Sequence, residues 1–173
     1  MPQVICGECV MDLRLYPRKT LDQYNVRRLR EALRAGAILP PVIIEKDTNR
    51  LVDGFHRTQA VLRERGPEAT LDAEIRTYAD EADLFLDAVR LNSAHGLNLG
   101  AEDQAHVLLA GRELGVDEAL LAQALSILPD RLLRISRNRV GEDAEGKPLA
   151  LKASASHLAG KKLTEQQARA HQR

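Results

Sequence analysis

The sequence predicts an α+β chain. Strands and helices interleave over residues 1–95, an all-α, helix-turn-helix-like segment follows over 97–140, and a basic helical extension covers 141–173. Three observations carry this prediction. Short β-type runs, such as Pro41-Val42-Ile43-Ile44-Glu45 and Thr70 to Thr77, fall only in the first half. Apolar residues at helical spacing separate these runs, and after His95-Gly96 they replace them. Charge divides further along the chain: residues 1–130 hold 15 Lys/Arg and 21 Asp/Glu, whereas residues 131–173 hold 10 and 4. Such asymmetry points to an acidic body with a nucleic-acid-facing end, a solvated charged tail being the plainer alternative.

In chain order, Val4 to Val10 reads as a first strand, weakened by Gly7. Thr20 or Asp22 can cap a helix reaching Arg34 or Ala35, in which Val26, Leu29, Ala32 and Leu33 recur at helical spacing and Gly36 supplies the stop. Residues 41–45 form a strand, Asp47-Thr48-Asn49 a turn, and Arg50 to Val52 the returning strand. A helix over 55–65 ends at Gly66-Pro67, and Thr70 to Thr77 is a strand with Leu71, Ala73 and Ile75 on one face. Asp80 caps a helix from Glu81 to Ala94, whose buried face is Ala82, Phe85, Val89 and Asn92. Ala101 to Leu114 is helical, closed by Gly115; Asp117 caps a second helix through Leu125. Ser126-Ile127-Leu128-Pro129 turns tightly into a third helix, for which Pro129 suits the first turn. Helix, short turn, helix is the geometry of a DNA reader, and its second helix carries Arg131, Arg134, Arg137 and Arg139. Residues 141–148 read as a loop, and two short helices follow at Ala150 to Leu158 and Thr164 to His171, the latter with a capping box at Thr164-Glu165-Gln166-Gln167.

The segment Leu51-Val52-Asp53-Gly54-Phe55-His56-Arg57-Thr58-Gln59-Ala60 sets an acid, a glycine, a histidine and an arginine where an apolar strand gives way to a helix. A helix that begins at a glycine turn offers unpaired N–H groups and the positive end of its dipole. That terminus suits a phosphate or another anion. Arg57 adds a forked donor to the same anion. The plainer reading stands beside it: Asp53 caps the helix, Gly54 permits the turn, and His56 and Arg57 are solvated.

These residues, with Pro-Pro-Val-Ile-Ile ahead of them, resemble the ParB/sulfiredoxin superfamily, in which a glycine-arginine box follows a β-hairpin and opens a helix. The resemblance starts near Val10-Met11-Asp12-Leu13-Arg14-Leu15-Tyr16-Pro17-Arg18, runs through Arg90-Leu91-Asn92-Ser93-Ala94-His95-Gly96, and enters the helical segment. It implies a small mixed sheet with flanking helices in the first domain. The sulfiredoxin branch uses a cysteine where Phe55 stands; phenylalanine supplies no thiolate, so reductase activity is rejected. The ParB branch binds a cytidine nucleotide and clamps DNA. By resemblance, CTP or another nucleotide lies against Asp53, Gly54, Phe55, His56 and Arg57, with Asn92 and His95 at the same site. Leu91 replaces that branch's glutamate and His95 its arginine, which removes a magnesium contact and weakens a phosphate partner. Mg2+ and a weak CTPase activity therefore stay open. A third branch phosphorylates free serine through an Asp-Gly-His-His-Arg box; here Asp53, Glu45 or Glu31 would be the base. Paired carboxylates that would support a nuclease are not found. The expected function is DNA binding in transcription regulation or in plasmid or phage partition, tuned by a nucleotide, with double-stranded DNA as partner and a homodimer as an open expectation. A serine-type kinase and a non-catalytic interaction module are the alternatives. Four phosphates neutralised by the arginine helix would give a log–log salt slope of about −4.

Composition bounds the rest. Apolar residues make up 44% of the chain and tryptophan is absent, so the core rests on Leu, Ile, Val and Ala. No apolar run is long enough to span a bilayer and no leader is evident, so a cytoplasmic location is expected. Cys6-Gly7-Glu8-Cys9 lacks a second ligand pair, and no metal is expected there. His106, His157 and His171 have no partner at ligand spacing.

Overall fold

The computed structural model describes residues 1–94 and 99–171, so His95 and Gly96 of the second motif lie outside the described residues. The chain divides into two compact units: Met1–Tyr16 with Leu21–Leu84, and Pro17–Thr20 with Phe85–Arg173.

The first unit is a mixed four-stranded sheet with helices. Its elements are β1 (Gln3–Ile5), α1 (Gln23–Arg34), β2 (Val42–Glu45), β3 (Leu51–Asp53), α2 (Phe55–Arg65) and β4 (Thr70–Arg76). The strand order is β1-β4-β2-β3. β1 runs antiparallel to β4, β4 parallel to β2, and β2 antiparallel to β3. In the parallel pair Val42 sits opposite Ala73 and Ile44 opposite Ile75. The core gathers Val26 and Leu33 of α1, Phe55, Ala60 and Val61 of α2, and Val42, Ile44, Leu51, Leu71 and Ala73 of the sheet. Asp22 caps α1 by accepting the N–H groups of Tyr24 and Asn25, as its position predicts.

One expectation fails in this unit. The first strand does not reach Val10: it stops at Ile5, and Cys6–Glu8 forms a 3-10 turn. Cys6 and Gly7 donate their N–H groups to the carbonyls of Ala69 and Pro67, not to a strand. Val10 then bridges Arg50 in parallel beside β3. Of Leu71, Ala73 and Ile75, which share one face of β4 as read from the alternation, the first two are buried and Ile75 is 46% exposed.

In the second unit, α3 (Glu81–Ala94), which begins in the first, is followed by α4 (Ala101–Glu113), α5 (Glu118–Ala124) and α6 (Pro129–Arg139). The last three pack on one another, burying Ala105, Leu108, Leu121, Leu132 and Ile135. Gly111 admits Leu121 so closely that a Cβ there would stand 2.9 Å from Leu121 Cδ2. Residues 141–148, expected to be a loop, belong to a hairpin of β5 (Val140–Glu142) and β6 (Pro148–Ala150). The physical cause is Asp143, whose carboxylate accepts the N–H groups of Glu145 and Lys147 and closes the turn. The expected helix at 150–158 is a 3-10 segment, Ala153–Leu158. A short α7 (Glu165–Arg169) follows, capped by Thr164 and Gln167 as predicted.

Candidate functional site

The glycine-arginine box stands at the β3–α2 junction. Gly54 is the N-cap of α2, with φ +107° in the left-handed region. A Cβ at this position would lie 2.5 Å from Val42 Cγ1. The turn thus needs glycine twice over, for its dihedral and for the close passage of β2. Gly54 brings no side chain to the first N–H groups of α2, and no side-chain hydrogen bond caps them there.

The four side chains around it divide into three settings. Phe55 is 2% exposed and belongs to the core, its ring centroid 4.7 Å from that of Tyr16. His56 Nε2 accepts the N–H of Asp22 at 3.3 Å and lies 3.3 Å from Tyr16 Oη, tying α2 to the start of α1. Arg57 donates to Asp53 Oδ2 at 2.6 Å and to the carbonyls of Pro41 at 2.7 Å and Pro40 at 3.3 Å. Its side chain is 17% exposed. Asp53 therefore does not cap α2, as the plainer reading held; it is the counter-ion of Arg57 one helical turn on. Nor are His56 and Arg57 solvated. The box joins β2, β3, α1 and α2, and any phosphate reaching it meets an arginine already paired.

Tyr16 is the residue that sequence reasoning missed here. With only two Phe and three Tyr in the chain, an aromatic in the opening segment was a visible signal for a core partner of Phe55.

The other sequence-based candidates fare differently. The carboxylate of Glu45 accepts the N–H groups of Asp47 and Thr48 and the Thr48 hydroxyl, closing the β2–β3 turn. The Thr48 hydroxyl, aided by those backbone donors and by Arg50, holds this carboxyl below the usual range, which makes it a poor general base. Asn92 belongs to the second unit and donates to the Ala88 carbonyl of its own helix at 2.9 Å. Among the described residues no group of three or more His, Cys, Asp or Glu could hold a metal ion. Burial pushes the Cys6 thiol up to about 11, with Cys9 adding to it, and Cys9 is raised by its own burial.

In the second unit α6 presents the arginines. Leu132 and Ile135 are buried against the neighbouring helices, so Arg131, Arg134 and Arg137 fall off that stripe and are exposed. Among the described residues the side chain of none of the three has an ionic or hydrogen-bonding partner. Arg112 of α4, in contrast, pairs with Glu118 at 2.8 Å and donates to Ser136 Oγ at 3.1 Å. Arg139 departs from the expected set. It lies four residues after Ile135 and seven after Leu132, on the inward side of α6, and its Nη1 is buried without a hydrogen-bond partner. The exposed set is thus three arginines, not four.

No protein-family model matches the chain. Over 137 residues it is 29% identical to a "Streptomycin biosynthesis operon possible regulatory protein" of Streptomyces griseus, covering 72% of this chain and 38% of that protein. Over 120 residues it is 30% identical to "Transcriptional regulator NovG" of Streptomyces niveus, covering 64% and 37%. The chain therefore spans under two fifths of the length of these relatives. Among solved structures it resembles the C-terminally truncated chromosome-partitioning protein ParB of Caulobacter crescentus complexed to the centromeric parS site. The TM-score is 0.54 at 14% identity, over 79% of this chain and 71% of that one. The likeness is one of fold.

Proposed function

We propose that this chain, whose fold is ParB-like, is a DNA-binding regulatory or partition protein that contacts duplex DNA through α6. The observation that carries this reading is the trio Arg131, Arg134 and Arg137, exposed and without ionic partners on the second helix of a helix–turn–helix pair. Two of the relatives are named as regulators, and the solved neighbour is complexed to its parS site. Three neutralised phosphates contribute about −2.7 to the log–log salt slope on duplex DNA. The test is an anisotropy titration of a labelled duplex across salt concentrations, with the chain and with R131A/R134A/R137A. The reading expects the variant to lose most of that slope; an unchanged slope removes it.

A nucleotide at the box is the second part of the proposal. It is favoured by the uncapped first turn of α2 behind Gly54. Binding requires Arg57 to exchange Asp53 for a phosphate, since the carboxylate and the phosphate repel one another. A thermal-shift screen of CTP, ATP and ADP, with and without duplex DNA, tests it; no rise in melting temperature with any of them removes the nucleotide and leaves the DNA reading intact.

A further inference from the structure

We propose that the open groove between α1 and α2 binds the phosphodiester backbone of DNA, a second contact surface that rests on the DNA-binding reading. Gln23, Tyr24, Val26, Arg27, Arg30 and Arg63 line this groove of 370 Å³. The two helices carry seven arginines, no lysine and two glutamates, whereas the rest of the first unit carries four Lys/Arg and twelve Asp/Glu. Positive charge is therefore gathered on one pair of helices within an otherwise acidic unit. The pairing inside the groove leaves much of that charge uncompensated. Glu64 is shared by Arg30 at 3.0 Å and Arg34 at 2.6 Å, one carboxylate for two guanidinium groups. Arg63 donates to the neutral Gln23 Oε1 at 2.8 Å. Arg27 has its guanidinium 5.4 Å from the Tyr24 ring centroid, a cation–π contact that keeps its charge. Tyr24 is 67% exposed, so the pair stands at the surface.

The α1 terminus is not the attraction, because Asp22 already occupies it. The forked guanidinium donors are, and they match phosphate oxygens two at a time. Held arginines beside an exposed aromatic are the composition of a nucleic-acid groove.

The experiment uses the full chain in anisotropy titrations over a salt series, with a labelled duplex and with one of its strands alone. R27A/R63A is compared with R27K/R63K, which retains the charge, and with the α6 variant R131A/R134A. Circular dichroism checks that each variant is folded. The groove contact predicts that R27A/R63A flattens the log–log slope by about 1.8 on the duplex, or by about 1.4 if the single strand is the partner, while R27K/R63K keeps the wild-type slope. Loss on one probe alone assigns the contact to that form of DNA and upholds it. Wild-type slopes on both probes for R27A/R63A overturn it. If R131A/R134A alone flattens the slope, only the groove fails; if R27A/R63A alone does so, the α6 reading fails and the groove stands.

Discussion

Gly54→Ala separates the structural demand for the box glycine from any role in binding. At φ +107° an L-residue is strained by about 1–3 kcal/mol. The added methyl meets Val42, with Cγ1 at 2.5 Å and Cβ at 2.9 Å. Val42 is fully buried and β-branched, so it cannot rotate aside, and overpacking of this kind costs roughly another 1–3 kcal/mol. The expected loss is about 2–6 kcal/mol. Gly36→Ala is the control: φ is +85° there, but nothing lies within 4 Å of the added Cβ, so only the dihedral strain of about 1–3 kcal/mol applies. Tyrosine fluorescence during urea unfolding reads the right unit, because the chain has no Trp and all three tyrosines, Tyr16, Tyr24 and Tyr78, belong to the first. The gap between the two variants should be about 1–3 kcal/mol, the overpacking alone. Equal losses would mean that β2 does not wall the turn, and the geometry given for the box would be wrong.

Further outcomes follow from individual residues. Burial, reinforced by Lys19 and Lys152, holds the His171 imidazole below its ordinary value. The unfolded chain then binds this proton more readily than the folded one, so stability is full above about pH 6.5 and declines as pH falls below it. H171N should flatten that limb of a melting-temperature profile, and an unaltered profile refutes the assignment. For Glu45 the folded value is lowered, so its contribution is present above the ordinary carboxylate range and lost as pH falls through the folded value. E45Q should remove that acid-side dependence from urea midpoints. Asp22→Ala removes the cap of α1 and should cost about 1 kcal/mol in the same unfolding assay, a loss near zero contradicting the cap. If a nucleotide binds at the box, D53N frees Arg57 of its charged competitor and should enlarge the nucleotide-induced thermal shift; a smaller shift would show Asp53 to be a ligand contact instead.

Much of the first unit was legible because its signals are local. Asp22 with Gly36 bounds α1, Gly54 with Gly66 bounds α2, and the apolar runs at 42–45 and 70–76 mark two strands. What was hidden depended on partners far along the chain. The break after Ile5 comes from the carbonyls of Pro67 and Ala69, some sixty residues on. The β5–β6 hairpin looks like a loop in the sequence because three-residue strands carry too little alternation to register, and Asp143 reveals its turn only through its hydrogen bonds. At the site, residue types were visible but their engagement was not: spacing placed Asp53 and Arg57 one helical turn apart, yet only coordinates show that they pair with each other. Arg139 was recoverable, since counting back to Ile135 and Leu132 places it on the buried stripe of α6.

The most direct test of the central claim is an amide NMR titration of the isotopically labelled full chain with duplex DNA. DNA held by α6 predicts that the largest shift changes fall between Leu128 and Arg139, centred on Arg131, Arg134 and Arg137, and that they fade as salt is raised. Saturable binding that leaves the α6 amides unmoved would contradict it.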